Sequence, residues 1–393
     1  MRARNIEIKV ASINIPDRAL ELLPEIEAAE AAATFYIKAG SKADLLGRVF
    51  KIALTHPGVA WRGLGAALSL GAWDIKARAY ALFYMAEALL VGDWMAQNSL
   101  THLHVHFGGP VATVGMLTSQ AWQVPWSVTL HGPDEFFDQD AFYLRQKIES
   151  ASFILCISDF CKSQVLRVAP AVPTNRLEIV RLGVDCESLR PAESDVEASV
   201  EGGFREQTSV SSTAPFHIVC TGRMVAAKGH RVLVEALAAL VADGMPFSCT
   251  LIGDGPERPD LEQECRRLGI ERNVRFLGAL AHAPALAEVA TADVFVLASF
   301  AEGLPVALME AMALGVPCIS TTIAAIPEMI HDRKNGLLVP PANVEALRNA
   351  LVSLGADRAL RQELGKQARL TVESEYNLAR NLDRLASVWS RRL

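Results

Sequence analysis

The residues best equipped for chemistry are two carboxylates flanking a helix start, Glu302-Gly303-Leu304-Pro305-Val306-Ala307-Leu308-Met309-Glu310. Pro305 suits the first position of a helix, where its missing N–H has no partner to lose. Glu302 then lies in the preceding loop, and Glu310 about a turn and a half into the helix. The N–H groups at Val306 and its neighbours lack an intrahelical acceptor, and together with the helix dipole they form an anion site. Backbone donors for a diphosphate, with carboxylates on either side for ribose and hexose hydroxyls, suit a nucleotide sugar. Taken alone, the segment reads sooner as a capped helix with a solvated glutamate at each end.

Two further loops converge on the same edge. After an apolar run over 216–222 comes Gly222-Arg223-Met224-Val225-Ala226-Ala227-Lys228-Gly229. Arg223, as a planar fork, and Lys228, as a point charge, together can neutralise a diphosphate. The third loop, Gly253-Asp254-Gly255-Pro256, is expected to let backbone approach a ligand closely. As a dinucleotide fingerprint it fails, because Arg258 stands where a third glycine belongs. A P-loop is absent too, since Lys228 precedes Gly229 and then His230.

In this order the motifs resemble the nucleotide-sugar domain of family 4 glycosyltransferases, which are retaining enzymes of the GT-B fold. The resemblance rests on Gly222–Gly229, Gly253–Pro256, Ala292-Asp293-Val294-Phe295, Glu302–Glu310 with Ala311-Met312-Ala313, Pro327-Glu328 and Asn335-Gly336-Leu337-Leu338-Val339. It continues into the first half at Thr129–Asp134, Cys156-Ile157-Ser158 and Leu182-Gly183-Val184-Asp185. It implies Arg223 and Lys228 on the diphosphate, Glu310 on the ribose, Glu302 on the transferred sugar and His131 near the reacting sugar. Gly222, Gly253, Gly255, Gly303, Leu304 and Val306 complete the implied donor site; His106, Gly108 and Asp134 fall on the acceptor side. The family works without a metal or cofactor, the nucleotide sugar being a substrate. One departure is Ile323-Ala324-Ala325-Ile326 before Pro327, where the family has glycine: a methyl group there is expected to crowd the donor sugar or prevent a positive φ.

A rival signal is His102-Leu103-His104-Val105-His106. On a strand the three imidazoles share one face, as ligands of a metal-dependent hydrolase do, although zinc needs a further ligand around it. The other expectation places His106 in the acceptor site and leaves His102 and His104 packed and hydrogen-bonded. A third alternative is a catalytically impaired nucleotide-sugar-binding protein.

The elements that must position these residues are legible in the second half. Strand runs at 216–222, 247–253, 274–278, 293–299 and 316–321 alternate with helices near 230–242, 257–268, 284–291 and 305–314. Strands apolar on both faces imply a parallel sheet covered by helices, with ligands beyond the strands' carboxyl ends. The first half offers strands at 6–13, 102–107, 126–132, 153–158 and 177–182. The predicted organisation is an acceptor-side Rossmann-like domain over 1–191, a linker over 192–215, a nucleotide-sugar domain over 216–375, and a helix over 376–393 packing back on the first domain, with a cleft between the two domains. No strand precedes residue 6, so the first domain is expected to lack its first strand through a misassigned or truncated start.

Composition sets the outer bounds. The chain has 393 residues, is 51% hydrophobic and 21% charged, and carries a net charge of −6. These values exclude disorder as the main state and argue against a nucleic-acid partner. Seven cysteines at irregular spacing suit buried reduced thiols in a cytoplasmic protein. Trp94–Pro133 contains no Asp, Glu, Lys or Arg, but its His, Gln, Thr, Gly and Pro residues argue against a membrane span. Lys51, Arg62, Lys76 and Arg78 among apolar helical stretches leave peripheral contact with the inner membrane face as an expectation, beside ordinary snorkelling cations. The expected partners are thus a nucleotide sugar and a glycan or lipid-linked saccharide.

Overall fold

Runs of apolar residues four to six long, bounded by Gly, Pro and polar turns, form parallel strands wherever a helix follows to bring the chain back. A computed structural model describes residues 2–4, 6–16, 25–70, 75–140, 142–191 and 215–393. The linker expected over 192–215 therefore lies, except for Pro215, outside the described residues. The chain divides into two units, Met1–Val180 with Leu382–Leu393, and Arg181–Asn381.

In the first unit, β1 (Ala11–Ser12) pairs in parallel with β2 (Phe35–Tyr36). The strand expected over 6–13 contracts to β1: Val10 O still accepts from Phe35 N–H of β2 at 2.9 Å, but Ile6–Lys9 alternate between half-buried and exposed and join no ladder among the described residues. A separate parallel sheet runs β3 (Leu103–His106), β4 (Trp126–Leu130), β5 (Phe153–Cys156), β6 (Leu177–Ile179), in that order. Every residue of β4 and β5 is buried, as helix cover on both faces requires. The helix Pro110–Trp122 follows β3 with proline in its first turn, and it buries the stretch Ala112–Thr118. The C-terminal helix Leu378–Arg392 is strongly two-faced. Its Val388 and Leu385 join Phe153, Leu155 and Val180 in one apolar cluster.

The second unit is a six-stranded parallel sheet built from β7 (Phe216–Thr221), β8 (Phe247–Ile252), β9 (Val274–Gly278), β10 (Val294–Leu297), β11 (Cys318–Thr321) and β12 (Leu337–Val339). The spatial order is β12-β11-β10-β7-β8-β9. The order reverses between β10 and β7, which pair in parallel. Ligands in such sheets bind outside the carboxyl ends of strands at the reversal. Ile218, Cys220, Val294, Val296 and Ile319 are among the strand residues in the core, with Leu233, Leu237 and Leu351 among those from the covering helices. All seven cysteines of the chain are buried and unpaired. Among the described residues, no helix is long and apolar enough to cross a membrane.

Candidate functional site

The reversal puts the loops after β7 and β10 side by side. Phe300 N–H donates to Ala227 O at 2.7 Å, tying one loop to the other. Gly229 makes that contact feasible: its φ is +63°, and a Cβ there would lie 2.1 Å from Ala298 O. Across the joint, Lys228 Nζ meets Glu302 Oε1 at 2.7 Å, and Ser299 Oγ donates to the same oxygen at 2.7 Å. Glu302 is buried, with 7% exposure, whereas the Lys228 side chain keeps 26%. Arg223 is exposed and makes no side-chain hydrogen bond or ion pair among the described residues. The site thus holds one cation paired to a carboxylate and another open to solvent, an arrangement that can accept an anion by exchanging partners.

The glycines of Gly253-Asp254-Gly255 serve a nearer purpose than the one expected from sequence. A Cβ on Gly253 would lie 2.0 Å from Gly222 O, and one on Gly255 would lie 2.3 Å from Met224 O. The close approach is between two loop backbones, which bond through Gly222 N–H to Ile252 O and Met224 N–H to Asp254 O, both at 2.9 Å. This stacking fixes the backbone on either side of Arg223.

Pro305 is the N-cap rather than the first helical residue, and the helix runs Val306–Ala313. Leu304 is buried and Val306 is exposed at the open end. Glu310 Oε1 bonds His282 Nε2 at 2.6 Å, so His282, itself largely exposed, stands beside the carboxylate implied for ribose. Behind Lys228, His230 is buried with Nδ1 unpartnered among the described residues. Burial, followed by the Lys228 charge, pushes its imidazole down to about 4. Ala324 takes φ +44° despite its methyl group, so the methyl does not prevent the positive φ, contrary to expectation; it leaves local strain instead.

In the first unit, the β3/β4 register sets His104 opposite Ser127 and His106 opposite Thr129. His102 Nε2 and His104 Nδ1 both bond Ser127 Oγ at 2.7 Å, and His104 Nε2 bonds Thr129 Oγ1 at 2.8 Å. Trp389 packs edge-on against both rings. With both His104 nitrogens committed to hydroxyls, the hydrolase alternative loses its ligand set. No group of three or more metal-binding side chains forms among the described residues.

His106 turns elsewhere: its Nδ1 lies 3.0 Å from His131 Nε2. Phe107 follows in a left-handed conformation, φ +70°, and stacks on His131 at 4.3 Å between ring centres. Burial, then the His106 charge, pushes His131 down to about 4, so near neutrality it is an uncharged donor and acceptor.

The residues that hold this arrangement were missed by the sequence reading. Glu135 accepts from Gly108 N–H at 2.5 Å, His131 N–H at 2.9 Å and Gly132 N–H at 3.2 Å. Lys147 Nζ donates to Gly108 O at 2.7 Å and Gly109 O at 2.8 Å. Both side chains are buried, Glu135 to 7% and Lys147 to 1% exposure. Burial pushes the Lys147 ammonium down to about 7 against the pull of Glu135. It pushes the Glu135 carboxyl up, against those three N–H donors and Lys147. Gly108 is therefore a framework residue through its backbone. Asp134 opens the short helix Asp134–Phe137, and its side chain lies outside the described residues.

Residues 215–357, within the second unit, match the family model described as glycosyl transferases group 1. The chain is 26% identical over 302 residues to the alpha-D-kanosaminyltransferase of Streptomyces kanamyceticus, covering 73% of this chain and 76% of that protein. It is 29% identical over 240 residues to the putative colanic acid biosynthesis glycosyltransferase WcaL of Escherichia coli K12. That match covers 59% of this chain and 55% of the relative, about half its length. The solved structure of Anabaena Alr3699/HepE in complex with UDP is similar with a TM-score of 0.65 at 21% identity, over 78% of this chain and 82% of that one. At that identity the likeness is one of fold, the GT-B fold anticipated from the motifs.

Proposed function

We propose that this chain, similar over residues 215–357 to glycosyl transferases group 1 and to the relatives above, moves a hexose-type sugar from a nucleotide-sugar donor to a glycan or glycolipid acceptor in polysaccharide assembly. The anomeric configuration is retained in this reading. The observation that carries it is the meeting of Lys228, Glu302 and the start of helix Val306–Ala313 where the strand order reverses, with Arg223 open beside them. Cleavage of the sugar–phosphate bond builds negative charge on the departing diphosphate and positive charge at the anomeric carbon. Fixed cations on the diphosphate lower the transition state more than the ground state. Arg223 and Lys228 take that role, so neither metal nor cofactor is invoked. Lys228 is released from Glu302 as the donor binds, and Glu302 turns to sugar hydroxyls. Glu310 takes the ribose hydroxyls beside His282. His131, kept neutral, serves the acceptor from the first unit.

Peripheral membrane contact belongs to the same reading. It is supported by exposed Leu46, Phe50, Leu54 and Trp61 on neighbouring helices that also carry Lys51 and Arg62. Mass spectrometry of products from a panel of nucleotide sugars and saccharide acceptors tests the reaction, with the anomeric configuration read by NMR. The expected result is one donor consumed, one glycosylated product with retained configuration, and no effect of a chelator. Consumption of no donor, or activity abolished by chelation and restored by one divalent ion, would contradict it.

A further inference from the structure

Away from the histidine strand, the first unit carries a cavity of about 230 Å³. One wall is the helix Ile75–Gln97, which turns Tyr80, Phe83, Tyr84 and Glu87 toward it. Tyr80 and Phe83 are each about half exposed, at 52% and 50%. Glu87, one turn on, is only 4% exposed, yet neither of its carboxylate oxygens accepts a directed hydrogen bond among the described residues. Its counter-ion is Lys38, with Nζ 3.1 Å from Oε1. That ammonium is shared: it donates to Asn14 Oδ1 at 3.0 Å and sits 5.3 Å from the centre of the Phe83 ring.

A buried carboxylate whose counter-ion is shared with two other groups is uncommon, and such groups usually mark a missing partner. Burial pushes Glu87 up, with Lys38 pulling it back. An anionic ligand is disfavoured, because Glu87 repels it and Lys38 is already neutralised. A purely apolar ligand would leave the second carboxylate oxygen, Glu87 Oε2, without a donor. What fits is a neutral, ring-shaped polyol with one C–H face for the aromatic rings and hydroxyls at its rim. The volume is below the range of roughly 300–1,000 Å³ typical of drug-sized ligands, as a single sugar ring requires. The opposite wall begins at Pro110 and Val111. These residues follow directly on Phe107-Gly108-Gly109, the loop stacked on His131 and clamped by Glu135 and Lys147.

We propose that this cavity is a saccharide subsite for the acceptor: one pyranose ring lies against Tyr80 and Phe83 and donates hydroxyl hydrogens to Glu87, while Lys38 and the Asn14 amide donate to its oxygens. The assignment rests on the glycosyltransferase reading and adds to it the site where acceptor sugar is recognised. The test is saturation-transfer NMR on the full chain with methyl α-glucopyranoside, α-galactopyranoside and α-mannopyranoside as probes. At least one is expected to bind, with its ring C–H protons most strongly saturated. Glu87→Gln, nearly isosteric, and Phe83→Ala, at a half-exposed position, are each expected to weaken that binding roughly tenfold. No saturation of any probe overturns the proposal, as does binding unchanged by both substitutions. Saturation lost on Glu302→Gln but kept in Glu87→Gln also overturns it, because the sugar then occupies the second unit. Nucleoside diphosphate binding in the same samples reports the glycosyltransferase reading separately and controls for folding of the variants.

Discussion

The loops of the second unit and those of the first are both drawn together at strand ends, but by opposite means. In the second unit the backbones themselves touch, through Gly229 against Ala298 and Gly253 against Gly222, and the cations Arg223 and Lys228 keep contact with solvent while Glu302 is buried. In the first unit the loops are held by a buried carboxylate and a buried ammonium that bond only backbone atoms at Gly108, Gly109, His131 and Gly132. Their imidazoles are kept neutral by burial. A site that must meet a diphosphate needs positive charge within reach of solvent, held by a rigid backbone; one that must meet an uncharged sugar hydroxyl needs a fixed, uncharged donor and acceptor.

The largest effect should come from breaking the buried clamp. Lys147→Met leaves Gly108 O and Gly109 O without their buried donor and removes the nearby positive charge from Glu135, and is expected to cost the first unit about 3 kcal/mol. Tryptophan fluorescence in urea reads this selectively, because Trp61, Trp94, Trp122, Trp126 and Trp389 belong to that unit and the second unit, Arg181–Asn381, contains no tryptophan. A loss below ~1 kcal/mol would mean that the clamp is not what holds these loops.

Next in size, Lys228→Ala and Arg223→Ala should each lower donor turnover by roughly 10²-fold, or about 2.7 kcal/mol, with melting temperature little changed for Arg223→Ala. Near-normal turnover in both would remove the cations from the diphosphate.

Acid should separate the two regions further. His102 and His131 are held at about 4 by burial, against 6.5 when unfolded, and His104 and His106 are lowered as well. Between those values the unfolded state binds more protons. The stability they contribute is therefore complete above pH 6.5 and lost as pH falls toward 4. The second unit has His230 in the same condition, so fluorescence should report first-unit unfolding at a higher pH than that at which nucleotide binding fails. Coincident transitions would erase the distinction.

The smallest effect is expected at Ala324→Gly, which relieves a left-handed alanine. It should be neutral or stabilising by up to about 1 kcal/mol, since glycine's extra unfolded-state freedom offsets part of the gain. Thermal unfolding measures it, and a destabilisation of ~1 kcal/mol would contradict the strain assigned there.

What could be read in the sequence follows the same division. The second unit's site is carried by loops directly after apolar runs, so Arg223, Lys228, Glu302 and Glu310 were visible from spacing, and the structure joins Lys228 to Glu302. Ser299 was in view as the last residue of its strand run, three before Glu302, but nothing marked its hydroxyl as a partner. His282 was a lone histidine with no local pattern. In the first unit, the shared face of the three histidines was legible, but period-two spacing cannot tell a metal ligand from a ring bonded to Ser127 and Thr129 on the next strand. Glu135 and Lys147 left no signal, because their partners are backbone atoms brought close only by the fold. The strand expected over 6–13 failed for a related reason: alternation describes a strand's faces, not whether a neighbour exists to pair with it.

Hydrogen exchange of the full chain with and without UDP, GDP or ADP tests the central claim most directly. One nucleotide should protect backbone amides in 222–229 and 299–310, while 104–109 and 131–135 keep their exchange rates. Protection confined to the first-unit loops, or none with any of the three nucleotides, would contradict the assignment of the donor to the second unit.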